Sequence, residues 1–322
     1  MRVAFHSSYL GYRGTEIALM DYAHGNQEIL GNQSLFLMPW REGADAHPVV
    51  QRMMQIAPLR LYRSAEEREG ILREEGADFF YCIKDGFQDG AFSRKVPTGI
   101  HAIFRESEFH GQVYAYVSPW LSKVMSYGKA PWVPHMARLS AGTGNLRAEF
   151  GIPEGAIVFG RHGGDDSFDI PWVQEAVLAA ARQREDLWFL FLNTREFSRA
   201  SQLPNVRFLP ATADPDRKKS FLNTCDAMLH GRNRGETFGL SCLEFAMGGK
   251  PVLTFGGSPE RAHLEILKEA AVSYQNHEEL LEILQTWRSV WGSEKKVNPD
   301  NFGDYHPGPV MKKFKEVFLH DG

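Results

Sequence analysis

Short apolar runs alternate with helix-forming segments along almost the whole 322-residue chain, and this alternation limits what it can fold into. The first series reads as strands at Arg2–His6, Ser34–Met38, Leu59–Arg63, Asp78–Ile83, Thr98–Phe104, Val113–Val117 and Ala130–Val133. Helices fit between them: one capped near Thr15 and running to about Gly25, then His47–Ile56, Ala65–Glu75, and Pro119–Tyr127 with Ser118 as N-cap. Strand–helix–strand units joined in this way build a parallel sheet covered by helices on both faces. The rhythm breaks at Ala137–Asn145 and then resumes. The second series places strands at Ile157–Gly160, Leu187–Leu192, Val206–Leu209, Ala227–Leu229, Pro251–Thr254 and Ala271–Tyr274. Its helices are Ile170–Arg184, Pro215–Asn223, Gly239–Met247, Pro259–Lys268 and Glu278–Val290, and a last amphipathic helix follows at about Gly308–Leu319. The expectation is an α/β protein of two Rossmann-like, doubly wound domains, residues 1–138 and 139–307.

Composition narrows the function classes. A net charge of −4 and a pI near 6.3 give no global case for nucleic acid. The apolar runs are too short to span a membrane, and Met1-Arg2-Val3 leads straight into a strand, not a signal peptide. Cys82, Cys225 and Cys242 have neither disulfide nor metal spacing, which suits a reducing cytoplasm.

The most chemically informative stretch is Cys225–Gly257, CDAMLHGRNRGETFGLSCLEFAMGGKPVLTFGG. A strand leads into a loop rich in Gly and Arg, then a helix from about Gly239, then a second strand. Glu236 lies in the loop and Glu244 in the helix, with seven residues between them. The backbone N–H groups of Thr237, Phe238, Gly239 and Leu240 fall where a helix start has no internal acceptors, so they suit an anion such as phosphate. Carboxylates near such a site would accept hydrogen bonds from hydroxyls. Phosphates in the middle and polyols at both ends describe a sugar nucleotide.

With GETFGLSCLEFAMGGKPV around it, Glu236-x7-Glu244 resembles the signature of retaining GT-B glycosyltransferases, especially family 4. The resemblance implies two domains facing across a cleft, with the C-terminal helix (about 308–322) packing back on the first. It implies transfer of a sugar from a nucleotide diphosphate sugar to a saccharide or other hydroxyl acceptor, without metal or cofactor. Glu244 would then hold the ribose and Glu236 the donor sugar. Gly14, in the Gly11-Tyr12-Arg13-Gly14-Thr15-Glu16 loop, would approach the donor diphosphate. His101, in GIHAIF, would touch the transferred sugar, and Arg161, in GRHGG, would neutralise the leaving diphosphate. The family's second cation, a lysine, is missing near Ser167. Arg232 or Arg234 could replace it, since guanidinium binds phosphate by a bidentate fork, and His230 lies in the same loop.

Two metal-like motifs are set aside. Asp165-Asp166-x-x-Asp169 sits in a strand-to-helix loop, and Asp214-Pro215-Asp216 reads as an N-cap followed by proline at the first helical position. Two other functions stay open: a nucleotide-sugar 2-epimerase of the same fold, and a catalytically silent sugar-nucleotide-binding protein.

Overall fold

A computed structural model describes residues 1–290 and 297–319. The chain divides into two compact units, Met1–Arg138 with Gly303–Gly322, and Leu139–Phe302. Unit 1 contains β1 (Arg2–Ser7), α1 (Gly14–Glu28), β2 (Gln33–Pro39), α2 (Pro48–Ile56), β3 (Leu59–Tyr62), α3 (Ala65–Glu74), β4 (Phe79–Lys84), β5 (Thr98–Ala102), β6 (Val113–Tyr116) and α4 (Pro119–Ser126). Unit 2 contains α5 (Arg147–Phe150), β7 (Ile157–His162), α6 (Pro171–Gln183), β8 (Leu187–Leu192), β9 (Val206–Leu209), α7 (Pro215–Thr224), β10 (Ala227–His230), β11 (Gly235–Glu236), α8 (Leu240–Met247), β12 (Val252–Phe255), β13 (Glu260–Arg261), α9 (Ala262–Leu267), β14 (Ala271–Tyr274) and α10 (His277–Val290). The final helix, α11 (Pro307–Phe318), belongs to unit 1; residues 320–322 of the expected helix lie outside the described residues.

Each unit has a six-stranded parallel sheet, ordered β3-β2-β1-β4-β5-β6 in the first and β14-β12-β10-β7-β8-β9 in the second. Numbered within its own unit, the second sheet repeats the order of the first. Strands buried on both faces read as continuous apolar runs rather than alternating ones. Hence Phe79–Lys84 and Leu187–Leu192 are buried at every position. Ser118 caps α4 by accepting from the Leu121 backbone N–H at 3.0 Å, with Pro119 next to it.

Three expectations shift. Helix α1 begins at Gly14 with Arg13 as N-cap, so Thr15 lies inside the first turn; the Glu16 carboxyl reaches back to the Arg13 backbone and supplies the cap. Ala130–Val133 makes one parallel bridge, Tyr116 to Trp132, instead of a strand. The helix expected from Pro259 starts only at Ala262, because Glu260 donates its backbone N–H to the Arg234 carbonyl at 2.9 Å.

The core of unit 1 is an aromatic cluster completed by α11. Phe314 lies 5.1 Å from Tyr81 and 5.2 Å from Tyr22, and Phe318 lies 5.2 Å from Tyr81, ring centre to ring centre. All four are essentially buried.

Candidate active site

In a doubly wound sheet, ligands bind beyond the carboxyl ends of the strands, where the strand order reverses. In unit 2 that point lies between β7 and β10, which pair through Ala227 with Phe159 and Met228 with Gly160. Arg161 and His162 close β7, and His230 closes β10. The fold therefore delivers the GRHGG and HGRNRGE segments to one place.

Glu236 is fixed there by a two-residue parallel pairing in which Gly235 faces Glu260 and Glu236 faces Arg261. Gly235 has φ +79°, and a Cβ on it would lie 2.0 Å from the Glu260 carbonyl oxygen. Gly239, at φ +91°, turns the chain into α8, and a Cβ there would lie 2.8 Å from that of His263. Only glycine satisfies both the left-handed backbone and the close approach. The Glu236 carboxylate meets His230 Nε2 at 3.2 Å through Oε1 and accepts from Arg232 Nη1 at 2.7 Å through Oε2. Burial pushes its pKa up, but the charge of Arg232 and the His230 hydrogen bond outweigh this and bring it down to about 2.

Glu244 lies deeper, with its side chain 3% exposed, whereas that of Glu236 is 18% exposed. Lys218 of α7 donates to Glu244 Oε1, and His162 Nε2 lies 3.1 Å from Oε2. Here too burial raises the pKa, and the Lys218 charge and His162 bring it down to about 2. Lys218 went unnoticed in the sequence, because nothing in an exposed-looking DRKKS helix points to a carboxylate 26 residues away. Glu260 was also missed; its side chain is 1% exposed and accepts from Arg234 Nε at 2.8 Å.

These pairings link stability to pH. Both glutamates have folded pKa values near 2 against an ordinary 4.5, so the stabilisation is present above pH 4.5 and is lost as pH falls through 2. At 1.36 kcal/mol per pKa unit, each contributes no more than about 3 kcal/mol. Urea denaturation between pH 6 and 2 should show this loss, and the double variant Glu236→Gln/Glu244→Gln should flatten the slope. An unchanged slope in the double variant would place the acid sensitivity elsewhere.

The remaining site expectations fare differently. The Arg161 side chain braces its own loops, donating to the Gly164 carbonyl at 2.7 Å, Ser167 Oγ at 2.6 Å, the Asn193 carbonyl at 3.2 Å and the Thr194 hydroxyl. Ser167, at the position expected for a lysine, is thus an acceptor for Arg161. Arg161 is 3% exposed, and its guanidinium, expected to neutralise a diphosphate, is taken up here by these loop contacts. Arg232 is bound to Glu236, while Arg234 keeps half of its side chain exposed beside Glu260. Thr237 and Phe238 are buried, Leu240 begins α8, and Gly14 begins α1 as an exposed residue in unit 1.

His101 is corrected. It is fully buried in unit 1, with Nδ1 at 2.6 Å from the Tyr81 hydroxyl and Nε2 at 2.9 Å from the Val133 carbonyl. Burial lowers its pKa to about 3. With both ring nitrogens engaged and Phe318 against the ring, it is a core residue with no nitrogen left for a sugar. His101 lies near the end of β5, and the helix that covers it comes from the far end of the chain.

The acidic motifs also have assigned partners. Asp214 Oδ1 caps α7 by accepting from the Asp216 backbone at 2.9 Å. Asp169 accepts from the Asn233 backbone at 2.7 Å, and Asp165 lies 3.3 Å from Arg195.

Solved structures share this fold. HepE from Anabaena, in complex with UDP and glucose, matches at TM-score 0.74 with 14% identity over 99% of both chains. The chain has the GT-B fold. A glycosyltransferase from Rickettsia africae matches at TM-score 0.71 with 12% identity, over 100% of this chain and 99% of that one. UDP-GlcNAc 2-epimerase from Neisseria meningitidis, bound to UDP-GlcNAc, shares the GT-B fold at TM-score 0.65 with 12% identity, over 99% of this chain and all of that one. No known protein-family profile and no curated protein matches the sequence.

Proposed function

We propose that this protein is a retaining, metal-independent glycosyltransferase of the family 4 kind, using a nucleotide diphosphate sugar as donor. The observation that carries this reading is the pair of ionised glutamates, Glu236 and Glu244, at the start of α8 beside the β7–β10 switch point. An ionised carboxylate has about four lone-pair positions, so each can accept a ligand hydroxyl while keeping its cation. Glu244 would take the ribose and Glu236 the transferred sugar. The amides entering α8 and Arg234 would face the diphosphate, with Arg232 holding Glu236 in place. Complexes with UDP or a UDP-sugar among the structural neighbours favour a uridine donor.

In the reaction the bond from the anomeric carbon to the diphosphate oxygen breaks, and the acceptor hydroxyl oxygen bonds to that carbon on the same face. The hydroxyl proton passes to the departing phosphate, releasing a nucleoside diphosphate. Catalysis then rests on positioning and on charge stabilisation. No helix of the described residues is long and apolar enough to cross a membrane. The cysteines Cys82, Cys225 and Cys242 are buried and unpaired, which fits the cytoplasm.

Screening UDP-, GDP-, ADP- and TDP-sugars by melting temperature should identify the donor, because a ligand of the folded state alone stabilises it by mass action. Product analysis with the best donor should give a transferred sugar of unchanged anomeric configuration, in the presence of EDTA. Activity that EDTA abolishes and Mn restores would refute metal independence. Inversion at C2 without acceptor would favour the epimerase reading, which the neighbour bound to UDP-GlcNAc keeps in play.

Arg234 gives a narrower test. Arg234→Ala should weaken nucleoside diphosphate binding about ten- to a hundredfold, the loss of one charge-assisted hydrogen bond, and should spare the nucleoside. Equal loss of both ligands would remove Arg234 from the phosphate site.

A further inference from the structure

Behind Glu236 lies a chain of polar side chains that its recognition role leaves unexplained. His230 Nδ1 is 2.9 Å from Thr254 Oγ1, and Thr254 Oγ1 is 3.0 Å from His263 Nε2. The two imidazole rings are 5.0 Å apart, centre to centre. Thr254 and His263 are fully buried, and His263 Nδ1 has no hydrogen-bond partner among the described residues. A hydroxyl has one proton and two lone pairs, and only two directions along this chain give the Thr254 proton an imidazole acceptor. In the first, His263 Nε2–H donates to Thr254, Thr254 donates to His230 Nδ1, and His230 Nε2–H donates to Glu236. In the second, His230 carries protons on both nitrogens, Thr254 turns round to donate to His263 Nε2, and the His263 proton moves to Nδ1. That proton would be buried without an acceptor. Buried N–H groups left without an acceptor are rarer in folded proteins than acceptors left with a bare lone pair.

We infer that His263, acting through Thr254, is a positioning residue that holds His230 as the neutral tautomer with its proton on Nε2, aimed at Glu236. The inference rests on Glu236 being the sugar-recognising acid of the proposed function. The surrounding charges do not decide the direction by themselves: the Glu236 carboxylate meets both His230 Nε2 and the permanent cation of Arg232, and at His263 the Glu236 charge is opposed by Arg261 and Arg232. Cys242 and Tyr274 on the neighbouring elements are held in their neutral forms by burial. The orientation matters for specificity. A fixed N–H on Oε1 and the Arg232 N–H on Oε2 leave the remaining Glu236 lone pairs pointing one way, toward a hydroxyl donor. A cationic His230 would instead compete with the sugar for the carboxylate. His263 also backs Gly239, which turns the chain into α8, so ring and loop are positioned together.

Nitrogen-15 NMR of the histidine rings tests this without any substrate, with His230→Gln and His263→Gln assigning the signals. In the parent protein at neutral pH, both rings should carry their proton on Nε2 and a bare Nδ1. His263→Gln supplies an amide that accepts as readily as it donates, which frees the second direction. His230 should then take up its second proton at a pH higher than in the parent by about one unit or more, tenfold in proton affinity. The acid limb of kcat should move with it while the neutral-pH KM for the donor stays near that of the parent. A parent His230 protonated on Nδ1, or a variant titrating with the parent, overturns the inference. If His263→Gln does not fold, the parent spectra decide alone, since a His263 proton on Nδ1 refutes it. Calorimetry separates this from the proposed function. Expected tautomers with no nucleotide sugar bound would sink only the functional reading, and donor binding with other tautomers would sink only this one.

Discussion

Glu236→Gln should leave the free nucleotide bound as in the parent and should sharply weaken recognition and turnover of the nucleotide sugar. Glu244→Gln should weaken nucleotide and nucleotide sugar alike. Each carboxylate would accept hydrogen bonds from neutral hydroxyls, so the expected cost is about 1–3 kcal/mol for the group touched, roughly five- to 150-fold. Glutamine keeps the shape and removes the charge, which matters because alanine would also strand Arg232 or Lys218 beside an empty space. Calorimetry with nucleoside diphosphate and with its sugar ester, alongside steady-state turnover, reads the two effects separately. The differing exposure of the two acids makes the test demanding. Glu244 is nearly enclosed by Lys218 and His162, so in the proposed role it would reach the ribose through one edge of its carboxylate. If both variants bind both ligands as the parent does, the Glu-x7-Glu pattern here is structural.

The second large effect concerns the far end of the chain. Phe314 fills the gap between Tyr22, Tyr81 and Phe318 with no measurable exposure. Phe314→Ala should therefore destabilise unit 1 by about 3–5 kcal/mol, the range for an aromatic ring deleted from a core. The measurement is amide hydrogen exchange resolved along the chain. Protection of β4 and β5 should fall by orders of magnitude, whereas β7 and β8 in unit 2 should keep theirs, since the units have separate cores. Equal loss in both units would show that they unfold as one. No loss in either would mean that α11 is not part of the unit 1 core.

The sequence by itself determined the architecture. Continuous apolar runs such as FFYCI and LWFLFL suit strands covered on both faces, and the helical segments between them leave a parallel sheet as the way to connect them. The break near residue 138 and the repeated alternation gave two units, and local chemistry gave the caps at Ser118 and Asp214. The position of Glu236, His230 and Arg232 in one loop was also legible, since residues four to six apart on a tight turn have little choice but to meet.

The partners of those residues depended on the tertiary structure. Lys218 reaches Glu244 from another helix, and Glu260 and His263 approach Glu236 because a two-residue pairing joins β11 to β13. A pairing that short has no sequence period to betray it. His101 shows the same limit in reverse. Its strand-end position matched a ligand-facing histidine, but a helix more than 200 residues later covers it and turns a candidate into core. Arg161 was likewise recognisable as a cation, and only the packing of the 163–167 and 193–194 loops directed its guanidinium inward. Spacing along the chain fixes which residues can be neighbours within one element. Which neighbours a side chain acquires across elements depends on how the sheets bring distant loops together, and that information is spread over the whole core.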